Sequence, residues 1–539
     1  MGEYVNAVVG APNAGQGQPQ RQLTLGEAIA RGRPSPELVL QLWTAFANCP
    51  QRKAMQEGHE YYRNNSEIDN KRRTIIGEYG NVEEYKEGVV SNSKIKHPDF
   101  RTFVRQKITY LMSRPFTIKC KDQALQGVLE DYFTPKVRAT IRELAKKTIY
   151  SGRAPIEVYY DKQGEMRVRA LEPDCVIPYW ADAERSSLLA SLRRWEEDVV
   201  GPDLKIKRVA HFDFYNADGV WHYVMAESGS LVVDVARGVD GWDANFYVNA
   251  PVTDEGGKPL LSIDPTTKKV VQPTELVAKN FARVPILFAR YNDEELPLLR
   301  FVKSLVDAYD LDVSELDDEL HDVPNSIKVI KGYNGESLGE LVHNLRLFRA
   351  VSVQSDGGVE DVGQAIDSTA AENHLTRLRK DMYSGASCVD TTRVDNLGNQ
   401  SGVAMRYIYS DLDMDCMELW TDIEEQVLKP LATFFLYDHY ARTGQSFSNI
   451  KIDFIANTDI AINETETVTN LKNSVGLISE ETIVANHPYV TDATAELERL
   501  RKERRDALSL MGGDNLGALG GTPTQPKQTT SKANGAKGG

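Results

Sequence analysis

The residues with the clearest capacity for chemistry are the carboxylates crowded between positions 307 and 322. No Lys or Arg occurs from 304 to 322, and the acidic residues there are Asp307, Asp310, Asp312, Glu315, Asp317, Asp318, Glu319 and Asp322. Clustered carboxylates bind divalent metal ions, so one hypothesis is a magnesium-dependent nuclease or hydrolase that uses the acidic cluster 307–322. The acids are spread around a predicted helix and lack the spacing of a calcium-binding loop. This favours a solvated helix surface over a metal site.

Other catalytic patterns are weaker. His211 and Asp213 occupy alternate positions of a predicted strand, so they share one face and form a candidate acid–base pair. A surface hydrogen bond is the simpler interpretation, because no third partner can be named. The sequence contains no GxxxxGK[ST], HExxH, GxSxG or GxGxxG motif. We therefore expect a protein that is not an enzyme and holds no cofactor and no metal.

Two basic stretches are candidates for phosphate contact. One is Lys71, Arg72 and Arg73, and the other runs from Arg101 to Lys121. Such side chains are more often solvated or paired with a neighbouring carboxylate than bound to nucleic acid. Direct DNA contact at these stretches is therefore the less favoured interpretation.

Length and composition limit the class of protein. A chain of 539 residues exceeds what one hydrophobic core usually supports, so we expect two to four structural units. The formal net charge of −15 argues against a general nucleic-acid coat, which needs a basic surface. No apolar run approaches the roughly 18 residues of a membrane span. The five cysteines are scattered without a CxxC pair, which favours reduced thiols in a cytoplasmic protein.

Periodicity predicts helices in the first part of the chain and strands after them. One helix opens at Pro98 and ends by Pro115, and a second runs from Val137 to Tyr150. Residues 156–168 predict a hairpin with its turn at 161–164, and 155–290 is strand-rich as a whole.

An acidic helix and a more basic helix then flank a small αβ insert. The acidic helix has an apolar stripe of Leu305, Tyr309, Val313, Leu316 and Leu320. Because unbroken like charge weakens an isolated helix, something outside it must stabilise it, most simply packing along this stripe. The second helix has the stripe Ala371, Leu375, Leu378 and Met382. The insert contains predicted strands at 327–330 and 350–353 and a helical stretch at 338–348.

A polar stretch at 389–402 precedes a long helix with apolar residues at Cys416, Trp420, Ile423, Val427, Leu431 and Phe434. Pro430 lies inside this helix and must remove one hydrogen bond, so we predict a kink there. A strand follows at 450–455. Ser479 is then the predicted N-cap of a short helix, and a last charged helix spans 492–505.

The order of these elements resembles the portal protein family of tailed, siphophage-type bacteriophages with double-stranded DNA. Four stretches carry the resemblance: His97-Pro-Asp-Phe100 with Tyr110-Leu-Met-Ser-Arg-Pro115, Phe281-Ala-Arg-Val-Pro-Ile286 with Val306-Asp-Ala-Tyr-Asp-Leu-Asp-Val-Ser314, Gly398-Asn-Gln-Ser-Gly-Val-Ala-Met405, and Leu477-Ile-Ser-Glu-Glu-Thr482 through Glu498. Together they span 97–505. Met112-Ser-Arg114 departs from the family's usual Leu-Gly-Asn, and the segment 225–275 has no counterpart in it.

The resemblance implies an α+β portal fold, helix-rich, with long stem helices, a kinked wing helix, a β-rich wing region and a small αβ clip, assembled as a ring oligomer. The implied organisation is a mobile tail at 1–24, a wing at 25–300 (helical, then β-rich), stem helix 1 at 301–322, a clip at 323–366, stem helix 2 at 367–388, a tunnel loop at 389–402, the kinked helix and return to the wing at 403–462, a crown at 463–510 and a mobile tail at 511–539.

The resemblance also implies functional residues. The candidate DNA-facing residues of the tunnel loop are Thr391, Thr392, Arg393, Asn396, Asn399 and Gln400. The candidate channel-facing acids of the stem helix are Asp310, Glu315, Asp317 and Asp318. Pro430 is the implied kink. Acidic channel walls would repel phosphate and keep a duplex mobile.

The implied function is a ring, most often a dodecamer, that forms the DNA channel at one capsid vertex for genome packaging, retention and ejection. Implied partners are other copies of the chain, double-stranded DNA, the large terminase, head-completion or adaptor proteins, and major capsid and scaffolding proteins, with no membrane. The implied location is the portal vertex of the virion, and the host cytoplasm during assembly. The alternatives are the magnesium-dependent nuclease and a collar or tail-adaptor ring, which is disfavoured because such chains are shorter.

Overall fold

The computed structural model of the protein describes residues 24–511 with internal gaps. The gaps are 31, 77–81, 85–90, 162, 186, 202–203, 252–261, 264–269, 272–273, 282, 323–326, 332–357, 363–367, 393–406, 448–450, 459–463, 486, 488 and 491–492. The described chain mixes helices and sheets, as an α+β protein does. It divides into two compact units, 1–394 with 408–460 and 395–407 with 461–539. Within the described ranges no helix has both the length and the apolarity of a membrane span.

Helices and three short strands build the N-terminal part of the first unit. The helices are α1 Leu25–Ala30, α2 Pro36–Ala47, α3 Pro50–Tyr62, α4 Asp99–Met112, α5 Gln123–Tyr132 and α6 Pro135–Ser151; the strands are β1 Thr74–Ile76, β2 Val82–Glu84 and β3 Thr117–Cys120. Three of the helices begin at a proline, where the missing N–H needs no partner. The helices predicted at 98–115 and 137–150 are confirmed as α4 and α6.

The predicted strand-rich region is also confirmed. Its strands are β4 Arg153–Tyr160, β5 Met166–Ala170, β6 Val176–Trp180, β7 Leu188–Val200, β8 Ile206–Asn216, β9 Gly219–Met225, β10 Leu231–Val233, β11 Trp242–Asp243, β12 Phe246–Pro251, β13 Ser262–Ile263, β14 Val270–Val271, β15 Thr274–Lys279 and β16 Ile286–Arg290. The predicted hairpin is β4–β5, in a sheet of order β16-β4-β5. A larger antiparallel sheet has the order β10-β9-β8-β7-β6, with β11 beside β9.

Two long helices follow, joined through a segment with two described strands. They are α7 Leu299–Asp322 and α8 Ser368–Gly385, and the strands β17 Ile327–Lys331 and β18 Gly358–Val362 pair antiparallel between them. The prediction at 327–330 is confirmed, β18 was not predicted, and the predicted elements at 338–348 and 350–353 lie outside the described residues. Gly385 lies close to Val302 while His374 contacts Asp312, so the two helices run in opposite directions.

A tight junction connects α6 to the loop that leads into α7. Gly152 follows α6 with a left-handed φ of +81°, and a Cβ at this position would overlap the carbonyl oxygen of Glu295. The carboxylate of Glu295 is buried and bonds to Arg153 at 2.6 Å and Arg185 at 2.5 Å. The backbone N–H of Tyr291 also donates to the Gly152 carbonyl at 2.9 Å. The start of α7 is thus fixed to the end of α6.

The long helix near the C-terminus is interrupted by a π-helical turn. It consists of α9 Ser410–Ile423, the π-turn Glu424–Leu428 and α10 Lys429–Thr443. The apolar residues predicted to pack are all buried: Cys416, Trp420, Ile423, Val427, Leu431 and Phe434. The π-turn ends two residues before Pro430, and the Lys429 N–H donates to the Glu424 carbonyl, one residue further back than in an α-helix. The helix is irregular here, and the kink itself stays a prediction.

The main core of the first unit joins α4, α6, β4 and the start of α7 to the long helix. A second cluster packs α1 and α2 against the large sheet, where the rings of Trp43 and Phe212 meet edge to face at 5.9 Å. Strand β19 Ile452–Ile455 pairs with β3. The second unit contains α11 Glu464–Asn473, α12 Glu480–Ala485 and α13 Ala493–Met511. The predicted Ser479 cap is confirmed, since its hydroxyl accepts the Thr482 N–H at 3.2 Å.

Candidate functional site

The acidic helix α7 has a buried face that changes from apolar to polar along its length. Val302 and Val306 are buried in the main core. The next residues on that face are Asp310, Ser314 and Asp318, one helical turn apart and at most 1% exposed. We call these three residues the polar stripe. Buried polar groups need hydrogen-bond partners, so another part of the chain must supply them.

Residues 91–97 supply those partners, and we call this segment the strap. Three strap N–H groups, two residues apart, donate to the three side chains of the polar stripe. The bonds are Ser93 N to Asp318 Oδ1 at 2.6 Å, Ile95 N to Ser314 Oγ at 3.0 Å and His97 N to Asp310 Oδ1 at 3.0 Å. Four helical residues rise about 6.0 Å and two residues of an extended chain about 6.6 Å, so the two repeats match.

Basic groups neutralise the two buried carboxylates. Lys71 Nζ lies 2.8 Å from Asp318 Oδ2, and Arg73 Nε lies 3.8 Å from the same oxygen. Burial alone would raise the pKa of Asp318, but the bonds from Lys71 and Ser93 lower it below its usual value. His97 Nδ1 lies 2.9 Å from Asp310 Oδ1, and that bond raises the pKa of His97 against the opposing effect of burial.

These contacts correct two predictions. Asp310 and Asp318 are not channel-facing, because their carboxylates are buried inside the chain. Glu315 is exposed, and Asp317 is half-buried and accepts the Ser93 hydroxyl at 2.5 Å, so only these two candidates remain. The prediction that packing along the apolar stripe stabilises the helix is incomplete: Leu305 and Tyr309 do pack against the main core, but the strap bonds to α7 as well. The first four members of that stripe are half-buried and Leu320 is 60% exposed, whereas the strap bonds the opposite side.

Two further acids of α7, Asp307 and Asp312, each have a partner inside the chain. Asp307 accepts the Tyr61 hydroxyl at 2.6 Å and lies 2.9 Å from Lys303. Asp312 lies 3.0 Å from His374 of α8. Among the described residues, no group of three or more His, Cys, Asp or Glu side chains could hold a metal ion. The geometry therefore disperses the carboxylates that a metal-dependent nuclease would have to gather.

The predicted tunnel loop is described only at its start. Thr391 and Thr392 are exposed, and Asp390 accepts both the Thr392 hydroxyl at 2.6 Å and its N–H at 3.1 Å. Arg379 of α8 bonds to Asp390 at 2.7 Å, and this bond helps to lower the pKa of Asp390. The loop start is therefore anchored to α8. The other candidates, Arg393, Asn396, Asn399 and Gln400, lie outside the described residues.

Three of the basic residues proposed to meet phosphate, Lys71, Arg73 and Lys107, have carboxylate partners inside the chain. Lys71 and Arg73 bond in the strap region, where Arg73 also donates to the Ser91 carbonyl at 2.8 Å. Lys107 is fully buried and pairs with Asp415 at 2.7 Å. The expectation that such side chains pair with neighbours is confirmed for these three.

The His211 and Asp213 interpretation needs correction, because both residues are buried and do not bond to each other. Asp213 accepts from Trp195 Nε1 and His222 Nδ1, each at 2.7 Å, and from Arg237 at 2.6 Å. Burial would raise the pKa of Asp213, but its bonds to His222 and Arg237 lower it to about 2. The His211 ring stacks on Trp195 with centroids 4.5 Å apart. This is an internal polar cluster of the large sheet.

The sequence analysis did not identify the aspartates of the long helix whose hydrogen bonds and ion pairs connect it to the rest of the first unit. Asp413 accepts the Tyr110 hydroxyl at 2.6 Å, and Asp415 accepts the Tyr291 hydroxyl at 2.8 Å as well as pairing with Lys107. The Asp422 carboxylate accepts hydrogen bonds from the guanidinium and from the backbone N–H of Arg290. The Asp438 carboxylate accepts the Tyr132 and Tyr160 hydroxyls at 2.6 and 2.7 Å. The available signal was a set of aspartates on the flank of an otherwise apolar helix.

Comparison with known proteins gives a consistent result. The family model described as phage portal protein, SPP1 Gp6-like, matches residues 48–509. A portal protein of Bacillus phage SPP1 is 25% identical over 469 residues, which cover 85% of this chain and 84% of that protein. A portal protein of Clostridium phage phiCD119 is 26% identical over 239 residues, 42% of this chain and 50% of that protein. The family match extends from α3 to α13, and so includes the polar stripe, the strap and the long helix.

Proposed function

The chain belongs to the family of phage portal proteins described as SPP1 Gp6-like, and from that membership we propose that its copies form a ring whose channel carries double-stranded DNA. Phage portal proteins sit at a capsid vertex. The observation that carries the proposal is the family match over residues 48–509, together with the SPP1 relative aligned over most of both chains. In this proposal the ring serves genome packaging, retention and ejection.

The antiparallel helices α7 and α8 support the assignment of a stem. Helix α7 has 24 residues, so it is about 36 Å long. The segment that contains β17 and β18 connects the end of α7 to the start of α8. We assign 301–322 and 367–388 to the stem, and 323–366 to a clip that docks the large terminase during packaging and head-completion or adaptor proteins afterwards.

Exposed apolar side chains on α7 support a ring. Phe301 is 51% exposed, Leu311 38% and Leu320 60% in the isolated chain. Large apolar groups on a helix that is otherwise acidic favour burial against another protein surface. The proposed cover is the neighbouring copy of the chain, in a closed cyclic arrangement of about twelve subunits.

The negative charge of the chain suits a channel that does not bind the passing DNA tightly. The net charge is −15 per subunit, and the exposed Glu315 and half-buried Asp317 are the stem acids proposed to face the channel. Like charge keeps DNA centred and mobile, whereas a strongly basic wall would slow it. Short polar side chains of the loop 389–402 are proposed to make transient backbone contacts.

The remaining parts follow the same proposal. Residues 25–300 form the wing, 403–462 return the chain to it, and 463–510 form a crown. Major capsid and scaffolding proteins are further partners, the virion vertex is the final location, and assembly takes place in the host cytoplasm. The proposal includes no catalytic step and no cofactor.

Native mass spectrometry with negative-stain imaging of the purified protein tests the proposal. We expect rings with a central hole and a mass of about 0.72 MDa for twelve copies of the 60.3 kDa chain. A compact dimer or tetramer without a channel would overturn it. A magnesium-dependent nuclease assay on the same sample tests the alternative, and DNA cleavage lost in Asp317→Ala would favour that alternative.

A further inference from the structure

A basic pocket lies where the end of α4 meets the start of α6. The cavity has a volume of about 230 Å³, with Leu111 and Phe116 on its apolar side. Arg114 enters it from the turn after α4, and Arg138 and Arg142 enter it from α6. Among the described residues that line it there is no carboxylate. We call this the arginine pocket.

The position of these arginines on α6 is electrostatically unusual. Pro135, Arg138 and Arg142 follow each other at spacings of three and four, so they share one face of the first two turns. The N-terminal end of a helix already carries a partial positive charge, and cations there are unfavourable. The first turn of α6 contains no acidic residue to offset them. The arrangement therefore concentrates positive potential in a chain whose net charge is −15.

Arg138 is held in place before any ligand arrives. Its Nε donates to the Phe133 carbonyl at 2.9 Å and its Nη1 to the Phe116 carbonyl at 2.7 Å. Its guanidinium also lies 4.3 Å from the centre of the Phe116 ring. Burial lowers the pKa of Arg138, and the charge of Glu130 offsets this only in part. A fixed, partly buried cation with incomplete compensation is a favourable partner for an anion.

From this geometry we propose that the arginine pocket binds one backbone phosphate of double-stranded DNA, outside the stem and the tunnel loop. The volume of about 230 Å³ is below the roughly 300 Å³ of small-molecule sites, which suits one phosphate group better than a whole nucleotide. Guanidinium groups match the geometry of phosphate oxygens. The choice of DNA as the source of the phosphate rests on the proposed function.

The test compares DNA binding by full-length rings that differ only in which two arginines are removed. Arg114→Ala/Arg142→Ala removes two exposed arginines of the pocket. The control Arg101→Ala/Arg105→Ala removes two exposed arginines of α4 that do not line it. Both variants lose the same charge. Binding of a short fluorescent duplex is measured at about 50 to 200 mM NaCl, where phosphate contacts dominate the salt dependence.

We expect the pocket variant to bind DNA at least about tenfold more weakly than the control. We also expect its salt dependence, as the slope of log K against log [NaCl], to fall by about 0.9, the value for a single phosphate of duplex DNA. Arg142→Glu alone should weaken binding to the same extent. Equal binding by the pocket variant and the control would overturn the proposal.

Two further measurements test whether the arginine pocket binds a ligand other than DNA. If inorganic phosphate raises the melting temperature only when the pocket is intact, while DNA binding is unchanged, the site serves free phosphate and the proposal fails. If the pocket variant loses binding to a glutamate-rich peptide but not to DNA, the ligand is an acidic protein and the proposal also fails. Wild-type rings that bind no DNA at low salt would overturn this inference while leaving the ring itself established.

Discussion

The carboxylate of Asp318 accepts the backbone N–H of Ser93 at 2.6 Å, across 225 positions of sequence. The same carboxylate holds Lys71 at 2.8 Å, so one side chain of α7 fixes two separate parts of the N-terminal region. A helix whose charges would otherwise repel one another is thereby stabilised by groups that lie far away in the chain.

The strap bonds should be measurable as slow hydrogen exchange. Ser314→Ala removes the acceptor of the Ile95 N–H, a bond of 3.0 Å on a side chain that is fully buried. We expect the Ile95 amide to exchange about fivefold faster, because one hydrogen bond is worth roughly 1 kcal/mol. Glu315→Gln, next to it and exposed, is the control. Unchanged exchange at Ile95 in Ser314→Ala would show that the bond does not protect the strap.

The His97–Asp310 pair should make the strap dependent on pH. Asp310 raises the pKa of His97 with help from Asp99, whereas burial and Arg379 oppose the rise. A raised folded-state pKa means that the pair stabilises the fold fully below the unfolded value of about 6.5, and that this contribution is lost as pH rises through the folded value.

We therefore expect wild-type protein to exceed His97→Gln in stability by about 1 kcal/mol near pH 6, with the difference shrinking by about pH 9. Melting temperatures of the two proteins at matched pH values measure it. A difference that stays constant, or that grows with pH, would contradict the assignment of a protonated His97.

The junction between α6 and α7 should not tolerate a side chain at Gly152. Gly152→Ala combines a φ of +81° with overlap on the Glu295 carbonyl, so we expect a loss of more than about 2 kcal/mol. Gly127→Ala in α5 is the matched control, because its Cβ would meet nothing and helix propensity should improve stability by up to about 1 kcal/mol. Thermal melting compares the two, and equal melting temperatures would contradict the close approach.

Pro430 is expected to matter for DNA movement more than for assembly. Pro430→Ala restores an N–H that can donate to the Gln426 carbonyl, so the π-turn Glu424–Leu428 should give way to a regular α-helix. We expect packaging of DNA to fall severalfold while rings still form. Thr433→Ala, exposed in the same helix, is the control. Normal packaging in Pro430→Ala would argue against a role for the irregular helix.

Elements with regular apolar spacing could be predicted from the sequence. The helices α4 and α6, the β4–β5 hairpin and the buried residues of the long helix follow from local periodicity and from proline positions. The predicted apolar stripe of α7 began at Leu305, whereas the helix begins at Leu299. Val302 is buried three residues before Leu305 and continues the same stripe, so the apolar spacing extends further towards the N-terminus than the prediction took it.

The polar contacts could not be predicted, because they depend on which distant segments meet. The strap has no periodicity that marks it, and nothing near Asp310 or Asp318 in sequence indicates a partner at His97 or Ser93. The arginine pocket was missed for the same reason, since Arg114 and Arg142 come together only when α4 packs against α6. The stretch from Arg101 to Lys121, which contains Arg114, was a candidate for phosphate contact, but nothing in the sequence joined it to Arg138 and Arg142.

The matched repeats of the strap and the polar stripe have a mechanical consequence. Sliding α7 by one turn would bring Val306, which has no acceptor, opposite the His97 N–H, and would separate Lys71 from Asp318. No intermediate position satisfies the buried groups, so α7 and the strap must move along the helix axis together. The strap leads into α4, and the buried Lys107 of α4 forms an ion pair with Asp415 of the long helix. A force along the axis of α7 would therefore be transmitted to α4 and to the long helix.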